Sequence, residues 1–147
     1  EALLYAADRA QHVATVVRPA LERGAVVVQD RYIDSSLAYQ GAGRVLDVAE
    51  VRRLSEWATD GLAPRLTVLL DLDPGVAIRR REARDADAGG AVDRLEAEAS
   101  EFHEAVRAGF RTLAAAEPER FLVLDAIRPP EELHAEIRTR VAPLLAG

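Results

Sequence analysis

Three short apolar runs, Val26 to Asp30, Leu66 to Leu72 and Phe121 to Asp125, are separated by stretches with helical spacing. None of the three alternates apolar with polar residues. Strands of that kind are buried on both faces, which is the situation of a parallel sheet covered by helices. The order reads helix, strand, helix, strand, helix, loop, helix, strand, helix. Parallel strands need crossover connections, and helices between successive strands supply them. The expectation is an α/β layer architecture.

The connecting segments carry their own signals. Leu3, Ala6, Ala7, Ala10, Val13, Ala14 and Val17 give residues 2–23 a helical apolar stripe, with Gly24 as a stop. Pro19 lacks a backbone donor and predicts a kink or a fresh helical turn. Asp47 with Glu50 reads as an acidic capping box, and Leu46 with Val51 as a hydrophobic staple. That helix is expected to run to about Asp60, ended by Gly61. Asp73-Pro74 starts another, with Pro at the first helical position, continuing to about Arg84. Residues 85–92, DADAGGAV, read as a loop. Asp93 and Glu96 pattern as a further capping box, before a helix carrying Leu95, Phe102, Val106 and Leu113 and ended by Pro118. Pro129-Pro130 opens a last helix with Leu133, Ile137 and Val141. No internal repeat or long linker divides the chain, so residues 1–147 are expected to form a single domain.

Composition narrows the function. A formal net charge of −6 argues against nucleic-acid binding and against an anionic membrane. The absence of Cys excludes disulfides, thiolate nucleophiles and Cys-based zinc sites. His12, His103 and His134 are too scattered to read as a ligand cluster. No apolar run approaches the ~20 residues that span a bilayer. The expectation is a soluble cytoplasmic protein. The chain has neither Met nor Lys, and it opens at Glu1 inside a helical pattern. An N-terminal portion is therefore expected to be absent.

Chemistry gathers at the end of the first apolar run. In open α/β sheets, ligands sit outside the carboxyl ends of the strands. Asp30 there can hold a metal-bound water or a lysine, and Arg31 can grip a phosphate bidentately. The alternative for this doublet is a strand-end ion pair or turn. Tyr5 and Arg9 lie one helical turn apart on the same face.

LLYAADR (3–9), DRYIDSSLAYQGAGR (30–44), LTVLLDLDP (66–74) and DRLEAEASEFHEAVRAGF (93–110), in that order across nearly the whole chain, resemble thymidylate kinase, a nucleoside-monophosphate kinase family of the P-loop NTPase class. The resemblance implies a three-layer α/β/α fold with a parallel sheet, and transfer of the γ-phosphoryl group of ATP to dTMP with Mg2+. It implies that Tyr5 stacks on thymine, that Arg9 hydrogen-bonds the base carbonyl, and that Ser36 and Gln40 meet the thymine edge. Tyr39 would close against the sugar C2′. Arg31 would bind the dTMP phosphate, with Asp30 near the metal and the phosphoryl path. For Tyr5 the other reading is a core-facing aromatic, and for Arg9 a solvated helix Arg.

The Arg-rich segment, about residues 79–96, is similar to a family lid whose catalytic Arg sits in the lid. Arg84 takes that role, with Arg80 and Arg94 as ATP-side and phosphate contacts. A solvated Arg run at a helix end is the alternative. Glu96 either approaches the metal or only starts its helix. Ala126 falls where the family borders adenine through backbone contacts. The resemblance also implies a homodimer.

One family element is missing from these residues. GxxxxGK[ST], the loop whose backbone donors cradle phosphates, does not occur here. The chain is therefore expected to be the C-terminal part of such an enzyme, without its central strand and inactive alone. A deoxynucleoside kinase, or a non-catalytic nucleotide-binding or assembly domain, is the alternative.

Overall fold

A computed structural model of the chain describes residues 2–42, 47–77, 79 and 95–145. The chain divides into two compact units, one formed by residues 1–63 with 108–110 and the other by 64–107 with 111–147.

The first unit is helical. Helix α1, Ala2–His12, passes into a π-helical turn, Val13–Val17, and then α2, Arg18–Glu22. Pro19 lies in the first turn of α2, as a fresh helical start requires. Gly24 follows with φ +75°, the left-handed conformation that ends many helices and that a side chain disfavours. Helix α3, Ile33–Ser36, runs into a second π-helical turn, Leu37–Ala42. Neither helical piece after Asp30 was expected from the sequence.

Helix α4, Val48–Ala58, opens on Asp47, whose carboxylate accepts from the Ala49 amide at 2.8 Å. The expected staple partner Leu46 lies outside the described residues. The helix stops at Ala58, two residues before the expected end, with Thr59 as C-cap and Gly61 at φ +67°. α1, α3 and the second π-helical turn all pack on α4. Ala6, Val13, Val17, Ile33, Leu37, Ala38 and Val51 form the buried core of this unit.

The expected strand at Val26–Asp30 does not form. Residues 25–29 have no regular structure, and Val26 and Val28 are 65% and 92% exposed. β-branched residues favour a strand only when a neighbour completes the ladder and a face is covered. Among the described residues nothing pairs with this run, so its propensity goes unused.

The second unit contains the sheet. β1, Thr67–Asp71, and β2, Phe121–Asp125, pair in parallel, with Thr67 opposite Phe121 and Asp71 opposite Asp125. Both match the sequence expectation within a residue. β1 is only half buried, with Leu70 exposed, where a fully buried strand was expected. Residues 74–77 are helical after Asp73, whose carboxylate accepts from the Gly75 amide at 3.0 Å. Helix α5, Leu95–Ala116, and helix α6, Pro130–Leu145, complete the unit, and α6 lies against β2. Val106, Leu113, Ala114, Phe121 and Leu124 are its buried apolar side chains. The described sheet has two strands. That agrees with a parallel α/β arrangement at small scale and leaves the three-layer form an expectation.

At the carboxyl end of β1, Arg107 grips Asp71 bidentately, with Nε 2.6 Å and Nη2 3.0 Å from the two carboxylate oxygens. Its Nη1 donates to Asp73 at 3.1 Å. The hydrogen bonds from Arg107 hold the Asp71 carboxyl below the usual carboxylate range, against the opposing effect of burial.

Candidate functional site

A cavity of about 280 Å³ opens in the first unit between α1 and the segment 29–40. Tyr5, Arg9, Asp30, Arg31, Ser36, Tyr39 and Gln40, seven residues singled out from the sequence, all line it. Asp8, His12, Gln29, Tyr32 and Ser35 line it as well. Sequence reasoning passed over these five. Tyr5, Asp8, Arg9 and His12 follow the i, i+3, i+4, i+7 pattern of one helix face, so the same spacing that linked Tyr5 to Arg9 already pointed to Asp8 and His12.

Each wall has a local cause. The helical pitch of α1 puts Tyr5 and Arg9 one turn apart, and Tyr5 remains about half exposed. α3 presents Ser36, and the π-helical turn after it presents Tyr39 and Gln40. A π turn inserts extra backbone per turn and re-aims side chains, which is why such turns are frequent at functional sites. Gln40 is 4% exposed, so its amide belongs to the cavity floor.

Arg31 has φ +62°. A side chain in the left-handed region costs about 1–2 kcal/mol, and strain of that kind clusters where function over-determines the backbone. The Gln29 amide donates to the Arg31 carbonyl at 3.1 Å and braces the turn. The Arg31 guanidinium lies over the Tyr39 ring, 5.0 Å from its centroid, and Nη2 is 3.4 Å from the phenol oxygen. Phe110 meets the same ring edge-on at 6.2 Å. Asp30 is exposed and makes no ion pair among the described residues, so the strand-end ion pair considered for the doublet is not formed.

Arg9 is half buried among neutral groups. Its Nη2 donates to the Ser36 hydroxyl in a short contact, and its Nη1 donates to the Ser55 hydroxyl at 3.4 Å. The guanidinium sits 5.6 Å over the ring of Tyr32. Burial weakens its hold on the proton, with Tyr32 and Asp8 opposing from a distance. No carboxylate of the described residues reaches ion-pair distance. A guanidinium stays charged in such a place, and the N–H groups not engaged by Ser36 and Ser55 remain for whatever enters the cavity. The reading of Arg9 as a solvated helix Arg is therefore overturned.

Among the described residues no three His, Cys, Asp or Glu side chains cluster to cage a metal. Asp8 and Asp30 line the cavity. Mg2+ usually keeps several waters and is held by one or two carboxylates together with substrate phosphates. The carboxylates present fit that mode of binding. Arg80, Arg84 and Arg94 lie outside the described residues. The backbone of Glu96 belongs to α5. Ala126 follows β2, and its amide donates to the Asp71 carbonyl at 2.9 Å. That bond uses the amide for the sheet and leaves the backbone-contact role untested. No described helix is long and apolar enough to cross a membrane.

A family model described as "Thymidylate kinase" matches residues 1–137. A thymidylate kinase of Clavibacter michiganensis subsp. michiganensis is 66% identical over 147 residues, covering 100% of this chain and 68% of the relative. One of Leifsonia xyli subsp. xyli is 68% identical over 141 residues, covering 96% of the chain and 65% of the relative. One of Deinococcus radiodurans is 56% identical over 142 residues, covering 97% and 66%. The chain thus spans about two thirds of the length of these curated relatives. By the extent of the family match and by this level of identity, the chain belongs to the thymidylate kinase family.

Proposed function

We propose that the protein carrying this chain transfers the γ-phosphoryl group of ATP to dTMP, giving dTDP, and that the cavity between α1 and residues 29–40 holds dTMP. The observation that carries the assignment is the convergence of an aromatic, two guanidiniums, a free carboxylate and buried amide and hydroxyl groups on one cavity. Those groups match the parts of a thymidine monophosphate.

Tyr5, half exposed on α1, offers a ring face for the base. Arg9 lines the cavity, and no carboxylate of the described residues pairs with it. A pyrimidine carbonyl accepts from such a guanidinium. Ser36 and Gln40 supply further polar contacts at the base edge. Tyr39 borders the sugar, where its bulk opposes a ribose hydroxyl. Arg31 takes the phosphate, because a guanidinium fork matches a phosphate and its backbone is held to aim it.

Phosphoryl transfer asks the protein mainly for positioning and charge neutralisation. Bound Mg2+ supplies charge neutralisation on the phosphate oxygens. Asp30, with Asp8 nearby, is the carboxylate that would hold it through water. Arg84, Arg80 and Arg94 are assigned to ATP and the transferring group by resemblance. The homodimer and the three-layer P-loop NTPase form rest on family likeness in the same way, while the single domain and the cytoplasmic location rest on chain length and composition.

A coupled ADP-release assay on the protein carrying this chain, against a panel of nucleoside monophosphates and nucleosides, tests the assignment. Turnover of dTMP well above the other acceptors supports it. Preference for an unphosphorylated nucleoside would instead support a deoxynucleoside kinase.

A further inference from the structure

We propose that Ser55, on α4, is a positioning residue for Arg9 and so sets how firmly the pocket reads the acceptor base. The proposal rests on the reading of Arg9 as a base contact and adds a residue outside the motif block. Ser55 is 2% exposed. Among the described residues, the only hydrogen-bond partner of its hydroxyl is Arg9 Nη1, at 3.4 Å. A buried hydroxyl beside a half-buried cation is satisfied by accepting from it, and for Ser55 the structure supplies Arg9 in that place.

Ser55 is itself braced from the end of the same helix. Thr59, one turn on, donates from its hydroxyl to the Ser55 carbonyl at 3.0 Å and is itself 1% exposed. The phenol of Tyr32 donates to the Leu62 carbonyl at 3.0 Å, four residues past the end of α4. Tyr32 is the ring beneath the Arg9 guanidinium. Among the described residues, α4 therefore supplies the hydrogen-bond partner of Arg9 that is not on the Asp30–Gln40 segment, the Ser55 hydroxyl, while the other hydroxyl and the ring come from that segment. Ser36 accepts from the other Nη. With Ser36 and Ser55 both engaged, rotation about the Arg9 Cζ–Nε bond is hindered.

The test compares the unaltered protein carrying this chain with Ser55→Ala and Ser55→Thr. In steady-state kinetics, Ser55→Ala should raise KM for dTMP roughly three- to ten-fold, the loss of one hydrogen bond to a charged group, with kcat within about two-fold. The preference for dTMP over dCMP, whose base presents an amino group in place of a carbonyl, should fall by a similar factor. Ser55→Thr keeps the hydroxyl and should restore both. Separately, nitrogen NMR of the guanidinium without substrate should find slow Cζ–Nε rotation at Arg9 in the unaltered protein and fast rotation in Ser55→Ala. Unchanged KM and base preference, a loss confined to kcat, or equal damage from Ala and Thr would each overturn the proposal. So would free rotation in the unaltered protein. If the unaltered protein does not turn over dTMP, the kinase reading fails, and the NMR comparison still decides whether Ser55 holds Arg9.

Discussion

The Arg31 guanidinium rests on the ring of Tyr39, 5.0 Å from its centroid, with one nitrogen 3.4 Å from the phenol oxygen. The residue assigned to the phosphate and the residue assigned to the sugar are thus in contact. A cation over an aromatic face at an exposed site gains about 0.5–1 kcal/mol. That is enough to bias the guanidinium toward one position and too little to keep it from a phosphate. Tyr39 therefore pre-places Arg31, in addition to the sugar-side role proposed for it.

Arg31→Ala should lower kcat/KM for dTMP by about 30-fold or more, because a charge-assisted phosphate contact of roughly 2 kcal/mol or above disappears. Arg31→Lys should recover only part of this, since an ammonium cannot grip bidentately. Arg31→Gly should be as inactive as Arg31→Ala yet more stable in a thermal melt, because glycine accepts φ +62° without the Cβ penalty. Steady-state kinetics and melting curves on the three variants check these outcomes.

Tyr39→Ala should narrow the preference for deoxyribo over ribo monophosphates and also raise KM for dTMP by about two- to five-fold through the loosened Arg31. Tyr39→Phe keeps the ring and should leave the sugar preference close to normal. An unchanged deoxy-to-ribo ratio in Tyr39→Ala would remove Tyr39 from the sugar.

In the second unit, the Asp71 carboxyl is held below its ordinary pKa by Arg107. A depressed folded pKa contributes stability above the unfolded value, and that stability is lost as pH falls through the folded one. Urea unfolding from pH 7 down to about pH 2 should therefore lose stability below about pH 4. Asp71→Asn should be less stable at pH 7 by about 1–2 kcal/mol and should have a flatter acid limb. A parallel acid limb in the variant would assign the loss to other carboxylates.

Gly61, at φ +67° after α4, has open space where a Cβ would stand. Gly61→Ala should cost only the backbone penalty, about 1 kcal/mol, visible as a lower melting temperature with dTMP kinetics unchanged. The Arg18 guanidinium, which donates to the Thr59 and Asp60 carbonyls at 3.0 and 3.1 Å, secures the same helix end.

How much of this was legible depends on what kind of constraint each residue answers. β1, β2, the Asp47 cap and the final helix follow from local pattern, and they appear within a residue or two of their expected places. The cavity was legible because Tyr5 and Arg9 share a helix face and the segment from Asp30 to Gln40 carries a family motif, so their residues were singled out together. Val26–Asp30 misled because a strand is a property of a pair, and propensity in one segment cannot supply the other. The π-helical turn that carries Tyr39 and Gln40 has no sequence signature. Ser55 was invisible for a different reason: a serine in an apolar helix stripe looks unremarkable until Arg9, 46 residues away, is folded onto it.

The most direct measurement is a crystal structure of the protein carrying this chain with dTMP bound. The account expects the phosphate on the Arg31 guanidinium, the base against Tyr5 with its carbonyl toward Arg9, and the sugar beside Tyr39. A nucleotide bound elsewhere, with Arg31 still on Tyr39 and Arg9 still held only by Ser36 and Ser55, would contradict it.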